Sequence, residues 1–223
     1  MLSTATVWER RELEVGQAEL SPRTYNLTIG AVLLWGLGLN ALMVQSIDPA
    51  IVFAIPQVVF IIGYFVSCIV GTMIYQRSDN PVVSFAGYNL VVLPLGLLLV
   101  KFLTFFEADV IGQAFFATGA VTMGMMALGG AYPRIFLRLR TALAATFFVA
   151  FLVEIGFIVF TGTVPPLLDW VFVFIFSGYI GYDWARAQQL PRTMDNAVDA
   201  AAALYVDIVI LFIRLLRILG RRR

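Results

Sequence analysis

The sequence predicts an all-α integral membrane protein, a bundle of seven transmembrane helices, and three observations predict it. Of its 223 residues, 61% are hydrophobic and 13% charged, with a mean hydropathy of +0.90; an ordinary soluble domain is roughly 45–50% apolar and about 25% charged. A soluble fold of this length could not hide so much apolar surface, so the bilayer must be part of its solvent. Apolar stretches of about 20 residues, each enough to cross a hydrocarbon core, recur seven times. The breaks between them are short, which leaves an up-and-down bundle as the arrangement that satisfies every backbone group.

The stretches are residues 25–46, 50–75, 82–104, 109–131, 139–161, 166–188 and 196–219. Each gap holds polar residues or a proline that cannot continue a helix. Ser46-Ile47-Asp48-Pro49 ends the first, Gln76-Arg77-Ser78-Asp79-Asn80-Pro81 the second and Thr104-Phe105-Phe106-Glu107-Ala108-Asp109 the third. Tyr132-Pro133-Arg134, Thr161-Gly162-Thr163-Val164-Pro165-Pro166 and Gln188-Gln189-Leu190-Pro191-Arg192 separate the rest. Residues 1–24 are polar and of mixed charge, too polar for a signal-peptide core, and read as a cytoplasmic tail. Residues 25–220 then form one seven-helix domain, and 221–223 a basic C-terminal tail. There is no internal repeat and no low-complexity tract.

Charge sets orientation and excludes some partners. The formal net charge is +1 and histidine is absent, so nothing points to nucleic acid, and proton sensing near neutral pH falls to carboxylates. The single cysteine, Cys68, lies in an apolar run and reads as a packing residue. Arg10, Arg11, Arg23, Arg77, Arg134, Arg138, Arg140, Arg186 and Arg192 collect on one side of the alternating bundle. Before the C-terminus the other side has only Lys101, beside Asp48, Glu107, Asp109 and Asp169. The excess of positive residues places the N-terminus in the cytoplasm. Arg214, Arg217, Arg221, Arg222 and Arg223 contradict that rule if the last segment crosses; a re-entrant last segment would return them to the cytoplasm. Arginine-rich composition with one lysine suggests a bacterial inner membrane, and an endoplasmic-reticulum location fits the same topology.

Charges deep in a membrane helix cost about 2.5–3.5 kcal/mol on insertion scales and so tend to face the interior and serve function. Glu154, Asp183 and Asp207 are the candidates; Asp199, at a helix entrance, is either an accessory acid, as Glu154 is, or simply solvated. Asp183 and Asp207 stand about equally far, roughly 12–18 Å of helix rise, from the turn between the last two segments. Antiparallel helices therefore bring both carboxyls to similar depth, and Ala200, Ala201, Ala202 and Ala203 allow close approach. Two carboxyls forced together out of water cannot both ionise cheaply, so the expected species is a pair sharing one proton. Losing that proton leaves two like charges that must separate or take a cation, and carboxylate oxygens suit Ca²⁺. The plainer readings are a structural Asp207, an exposed Asp183, and a structural or lipid-adapted Glu154, for which the sequence offers no evident partner.

Gly178-Tyr179-Ile180-Gly181-Tyr182-Asp183, a short polar turn, and then AAAALYVDIVILFIRLLRILG over 200–220 resemble the signature of the Bax inhibitor-1 family. The resemblance is specific over residues 177–220; elsewhere it is the seven-span pattern and length. It implies a seven-helix fold with the last helix central, and a pH-sensitive calcium leak governed by Asp183 and Asp207. Ca²⁺ would be the transported or transiently bound ion, with no other cofactor. It also implies an arginine latch at the cytoplasmic end of the second helix, for which Arg77 is the candidate. This sequence departs from the family where residues 50–75 carry no acid and where Glu154 has no family counterpart.

Two other functions compete. An intramembrane aspartyl protease also sets Tyr-Asp on one helix and Asp on the next. Its second aspartate follows Gly-x-Gly, whereas Asp207 follows Leu204-Tyr205-Val206, and its later Pro-Ala-Leu helix is missing. The reading is therefore not an enzyme. A non-conducting regulator of a membrane protease or of a survival pathway is the other alternative; its protein partners are not legible, while lipid, protons and calcium ions are the expected ones.

Overall fold

The computed structural model describes residues 19–221, so most of the N-terminal tail, with Arg10 and Arg11, and the terminal Arg222 and Arg223 lie outside the described residues. Among these residues every regular element is helical: α1 (Pro22–Ser46), α2 (Pro49–Phe53), α3 (Gln57–Arg77), α4 (Pro81–Leu103), α5 (Ala108–Ala131), α6 (Pro133–Arg138), α7 (Arg140–Thr161), α8 (Pro166–Ala187) and α9 (Met194–Gly220). The starts are chemically marked. Ser21, Asp48 and Asn80 each accept a hydrogen bond from a backbone N–H in the first turn, and each is followed by a proline at the first helical position. Gly162, at φ +68°, ends α7 in the left-handed conformation that glycine adopts without strain.

Two expected segments differ in detail. The stretch 50–75 is two helices, α2 and α3, because Pro56 has no N–H to continue the first and caps the second instead. The Tyr132-Pro133-Arg134 break is not a loop: Pro133 opens the short helix α6, which Leu139 joins to α7. The last segment is one α-helix from Met194 to Gly220.

Among the described residues five helices, α1, α3, α4, α5 and α7, are long and apolar enough to cross a membrane. Their outer faces fit that solvent. On α7 the buried residues are Ala150 and Glu154, one turn apart, while Phe148, Val149, Leu152 and Phe160 are exposed. An acid inside and phenylalanines outside invert the order of a water-soluble helix. The helices α8 and α9 are as long but carry acids and arginines.

The chain forms two compact units, one comprising Met1–Phe105 with Leu190–Tyr205, the other Phe106–Gln189 with Val206–Arg223. In the first, α4 packs on α1, α2 and α3. Gly71 and Gly87 face each other so closely that a Cβ on either would strike the other's backbone carbonyl, the small-residue contact typical of membrane helices. Tyr88 reaches the Val32 carbonyl at 3.1 Å and meets Tyr205 edge-on at 5.3 Å between ring centres. Asn40 donates a hydrogen bond to the Tyr205 hydroxyl, and Ser84 donates to Asp195 at 2.7 Å.

In the second unit α8 is the shared partner of α5, α6 and α7. Gly129 of α5 lies against the Gly181 backbone, and the Phe136 ring fills the space a side chain at 181 would need. Phe147 of α7 packs on Phe172, Phe176 and Tyr179 of α8. These contacts fix α8 on three sides, and its two acids, Asp169 and Asp183, stand at opposite ends.

Candidate functional site

Asp183 lies one turn before the end of α8, and Asp207 lies on α9; both belong to the second unit. Their side chains lie within direct electrostatic reach of each other. Asp207 is buried, and its Oδ2 accepts no hydrogen bond; Asp183 is half-buried. Because an ionised carboxylate only accepts, a direct bond between two carboxyls requires a proton on one of them. The neighbours on α8 are Tyr179, one turn earlier and in electrostatic reach of both acids, and Arg186, which acts on Asp183 and stands over the Tyr182 ring at 5.7 Å. Among the described residues no three His, Cys, Asp or Glu side chains converge, so a calcium ion at this pair would complete its six to eight oxygens from backbone or water. Arg77 is the last residue of α3, exposed, in the first unit.

The second unit holds another set of buried charges, and here Glu154 has the partner that its sequence does not reveal. Both of its oxygens receive the Arg214 guanidinium, at 2.6 and 2.8 Å, in the bidentate geometry that arginine gives a carboxylate. The same Nη1 of Arg214 is 3.1 Å from Oδ1 of Asp169. Arg217 approaches both acids, at 3.5 Å and 3.4 Å, and Arg221 closes on Oδ2 of Asp169 at 3.0 Å. The Arg214 guanidinium also lies 3.9 Å from the centre of the Phe172 ring, a cation–π contact that adds to the pairing. Asp169 is fully buried and Glu154 nearly so.

Read as loop and tail charges that set orientation, Asp169, Arg214, Arg217 and Arg221 do not stand out in the sequence. A signal is nonetheless present. Arginines at 214, 217 and 221 recur at helical spacing on one face of α9, and α7 is an apolar helix whose acid needs a cation.

Asp199 is buried rather than solvated, as are Asp195 and Asn196 beside it. The reason is the first half of α9, where Ala197, Ala200, Ala201 and Ala202 are also fully enclosed. Asn196 receives its cap there, its N–H donating to Thr193 at 3.1 Å and its amide to the Pro191 carbonyl at 2.8 Å. Asp199 interacts electrostatically with Tyr25 of α1 within the first unit.

Helices with lipid-compatible faces and charges buried in matched sets define an integral membrane protein of the all-helical class. The model of the family described as inhibitor of apoptosis-promoting Bax1 matches residues 17–223. The chain belongs to the Bax inhibitor-1 family. No curated protein matches the chain.

Proposed function

We propose that the protein is a pH-sensitive calcium leak channel gated by Asp183 and Asp207. In this reading α8 and α9 join the five apolar helices as membrane spans, the last helix is central to a seven-helix bundle, and the N-terminus faces the cytoplasm of a bacterial inner membrane. The observation that carries the proposal is the approach of two carboxyls, on consecutive helices, to within direct electrostatic reach of each other. The shared proton holds the two helices together in the closed state. Without it two like charges face each other in a poorly solvated place, and the helices separate or admit a cation. Arg77 is the proposed latch that steadies the deprotonated pair, Arg186 supplies a nearby positive charge, and Tyr179 a neutral phenol.

The sign follows from proton count. The closed state binds one proton more than the open state, so raising pH favours opening and lowering pH favours closure. Purified protein in liposomes loaded with a calcium dye tests this across the range from acid to mildly alkaline. Flux should rise with pH in the wild type and lose that dependence in Asp207→Asn and Asp183→Asn. Pair variants that keep both flux and its pH profile would sink the gate. Absence of calcium flux at every pH, together with specific co-purification of a protein partner, would favour a non-conducting regulator. The pair is read as a gate and not as a catalytic dyad because Leu204-Tyr205-Val206 precedes Asp207 where an aspartyl protease has Gly-x-Gly.

A further inference from the structure

An amide side chain is costly inside a membrane helix, and Asn40 stands in the apolar run Gly38-Leu39-Asn40-Ala41-Leu42 of α1, 3% exposed. Its nitrogen donates to the hydroxyl of Tyr205, which is fully buried on α9. Its oxygen accepts no hydrogen bond from the described residues and lies against Gly96 of α4, where a Cβ would come within 2.7 Å of it. The amide therefore occupies a slot that only glycine leaves open. The Tyr205 ring is held as well. It meets the Tyr88 ring edge-on, Tyr88 is itself fixed by the Val32 carbonyl, and Gly36 leaves room for both rings. One side chain of α9 is thus gripped by α1 and α4 together. Asp207 follows Tyr205 by two residues of the same helix, about 3 Å of rise and about 200° around its axis. The two side chains leave α9 on opposite sides, so a rotation that frees Tyr205 swings Asp207 by the same angle.

We propose that Asn40 and Tyr205 are positioning residues of the pH gate, their hydrogen bond setting the rotation of α9 and with it the distance at which Asp207 meets Asp183. The proposal rests on the gate reading of that pair. Neither an amide nor a phenol changes charge near neutral pH, so the bond acts on the gate through geometry. The other titratable groups around Tyr205 are Tyr88 of α4 and Tyr64 and Cys68 of α3; those around the two aspartates are Tyr179 and Arg186 of α8. Carboxyls set further apart hold a shared proton less tightly, so losing the Asn40–Tyr205 bond should move opening to lower pH.

The test is calcium flux in dye-loaded liposomes across pH, with thermal unfolding in detergent over the same range as a readout of the shared proton that needs no conduction. Tyr205→Phe keeps the ring on Tyr88 and deletes only the hydroxyl; Asn40→Leu removes the donor at similar volume. Each should lower the midpoint of both pH profiles by about half a unit to one unit, a roughly three- to tenfold weaker hold on the proton. The double variant should move it no further than either alone, because both delete one interaction. Tyr88→Phe loses the Val32 bond but keeps the Asn40–Tyr205 bond, and should leave the midpoint in place. Two results overturn the proposal. If Asp207→Asn flattens the wild-type profile while Tyr205→Phe and Asn40→Leu lower only the melting temperature, the gate stands and the bond is merely structural. If Asp207→Asn retains the wild-type profile, the gate itself fails and the positioning role fails with it.

Discussion

The second half of α9 buries carboxylates in two opposite ways. At Asp207 an acid meets another acid, and a direct bond between them requires a proton on one. Seven residues on, about 10 Å of helix rise, Arg214 meets Glu154 and Asp169 with a guanidinium. Both arrangements remove uncompensated charge from a poorly solvated place, which buried acids require. They differ in what can undo them. A shared proton exchanges with solvent as pH changes. A guanidinium keeps its charge at any physiological pH and leaves only if the helix that carries it moves. One helix thus carries an acid–acid contact beside an acid–arginine contact, which makes pH and helix displacement the levers to test on each.

The comparison breaks most severely at Arg214. Arg214→Gln withdraws both hydrogen bonds from Glu154 and one contact from Asp169, and leaves the buried Glu154 with Arg217 at 3.5 Å while Asp169 keeps Arg217 and Arg221. Breaking a buried pair by removing one partner costs about 3–5 kcal/mol, which thermal unfolding in detergent should register as a larger loss than either Gly129→Ala or Asp207→Asn produces. Under the proposed gate, the pH dependence of calcium flux should persist, because the substitution leaves Asp183 and Asp207 untouched. A small loss of stability would mean that Arg217 moves in to serve both acids alone.

How much of this the sequence contains depends on whether a feature is local. The long apolar helices and their starts are local: a serine, aspartate or asparagine followed by proline marks α1, α2 and α4 directly. The break at Pro56 is local too, but an averaged apolar stretch runs over a single proline. Asp183 approaches Asp207 because both stand a similar number of residues from one short turn, a relation that spacing alone contains. Glu154 and Arg214 are 60 residues apart on helices that are not consecutive, and no spacing rule links α7 to α9. Asp199 shows the limit from the other side. Its place near a helix entrance suggests water, yet the alanines around it let neighbouring groups close over the helix.

A smaller effect is expected at the contact that fixes α8. A methyl group at Gly129 would collide with the Gly181 carbonyl, which is backbone and cannot rotate away. Gly129→Ala should cost about 1–3 kcal/mol as overpacking, measured by the same thermal unfolding. Because Gly181 is two residues from Asp183, the shift of α8 should also move the acid relative to Asp207 and change the pH profile of flux. By contrast Gly112→Ala, on the same helix with open space at its Cβ, should change neither reading. If Gly129→Ala lowered stability without moving the profile, the aspartate contact would tolerate displacement and the contrast with the arginine cluster would weaken.

The smallest effect on stability and the sharpest on function is expected at Asp207 itself. Asparagine has nearly the same shape, and its amide can donate to Asp183 where the shared proton did. The exchange of one hydrogen bond for another should alter stability by about 1 kcal/mol or less. What disappears is the shared proton: with asparagine at 207 the amide donates to an ionised Asp183, and raising pH creates no second like charge. Stability and flux measured across pH should therefore vary in the wild type and be nearly flat in Asp207→Asn, while Arg214→Gln is destabilised at every pH and still pH-dependent. That crossed pattern is the strictest test of the two sites on α9. If Asp207→Asn proved as destabilising as Arg214→Gln, Asp207 would be a structural anchor like the arginines, and the pH-responsive contact would have to be sought elsewhere on the helix.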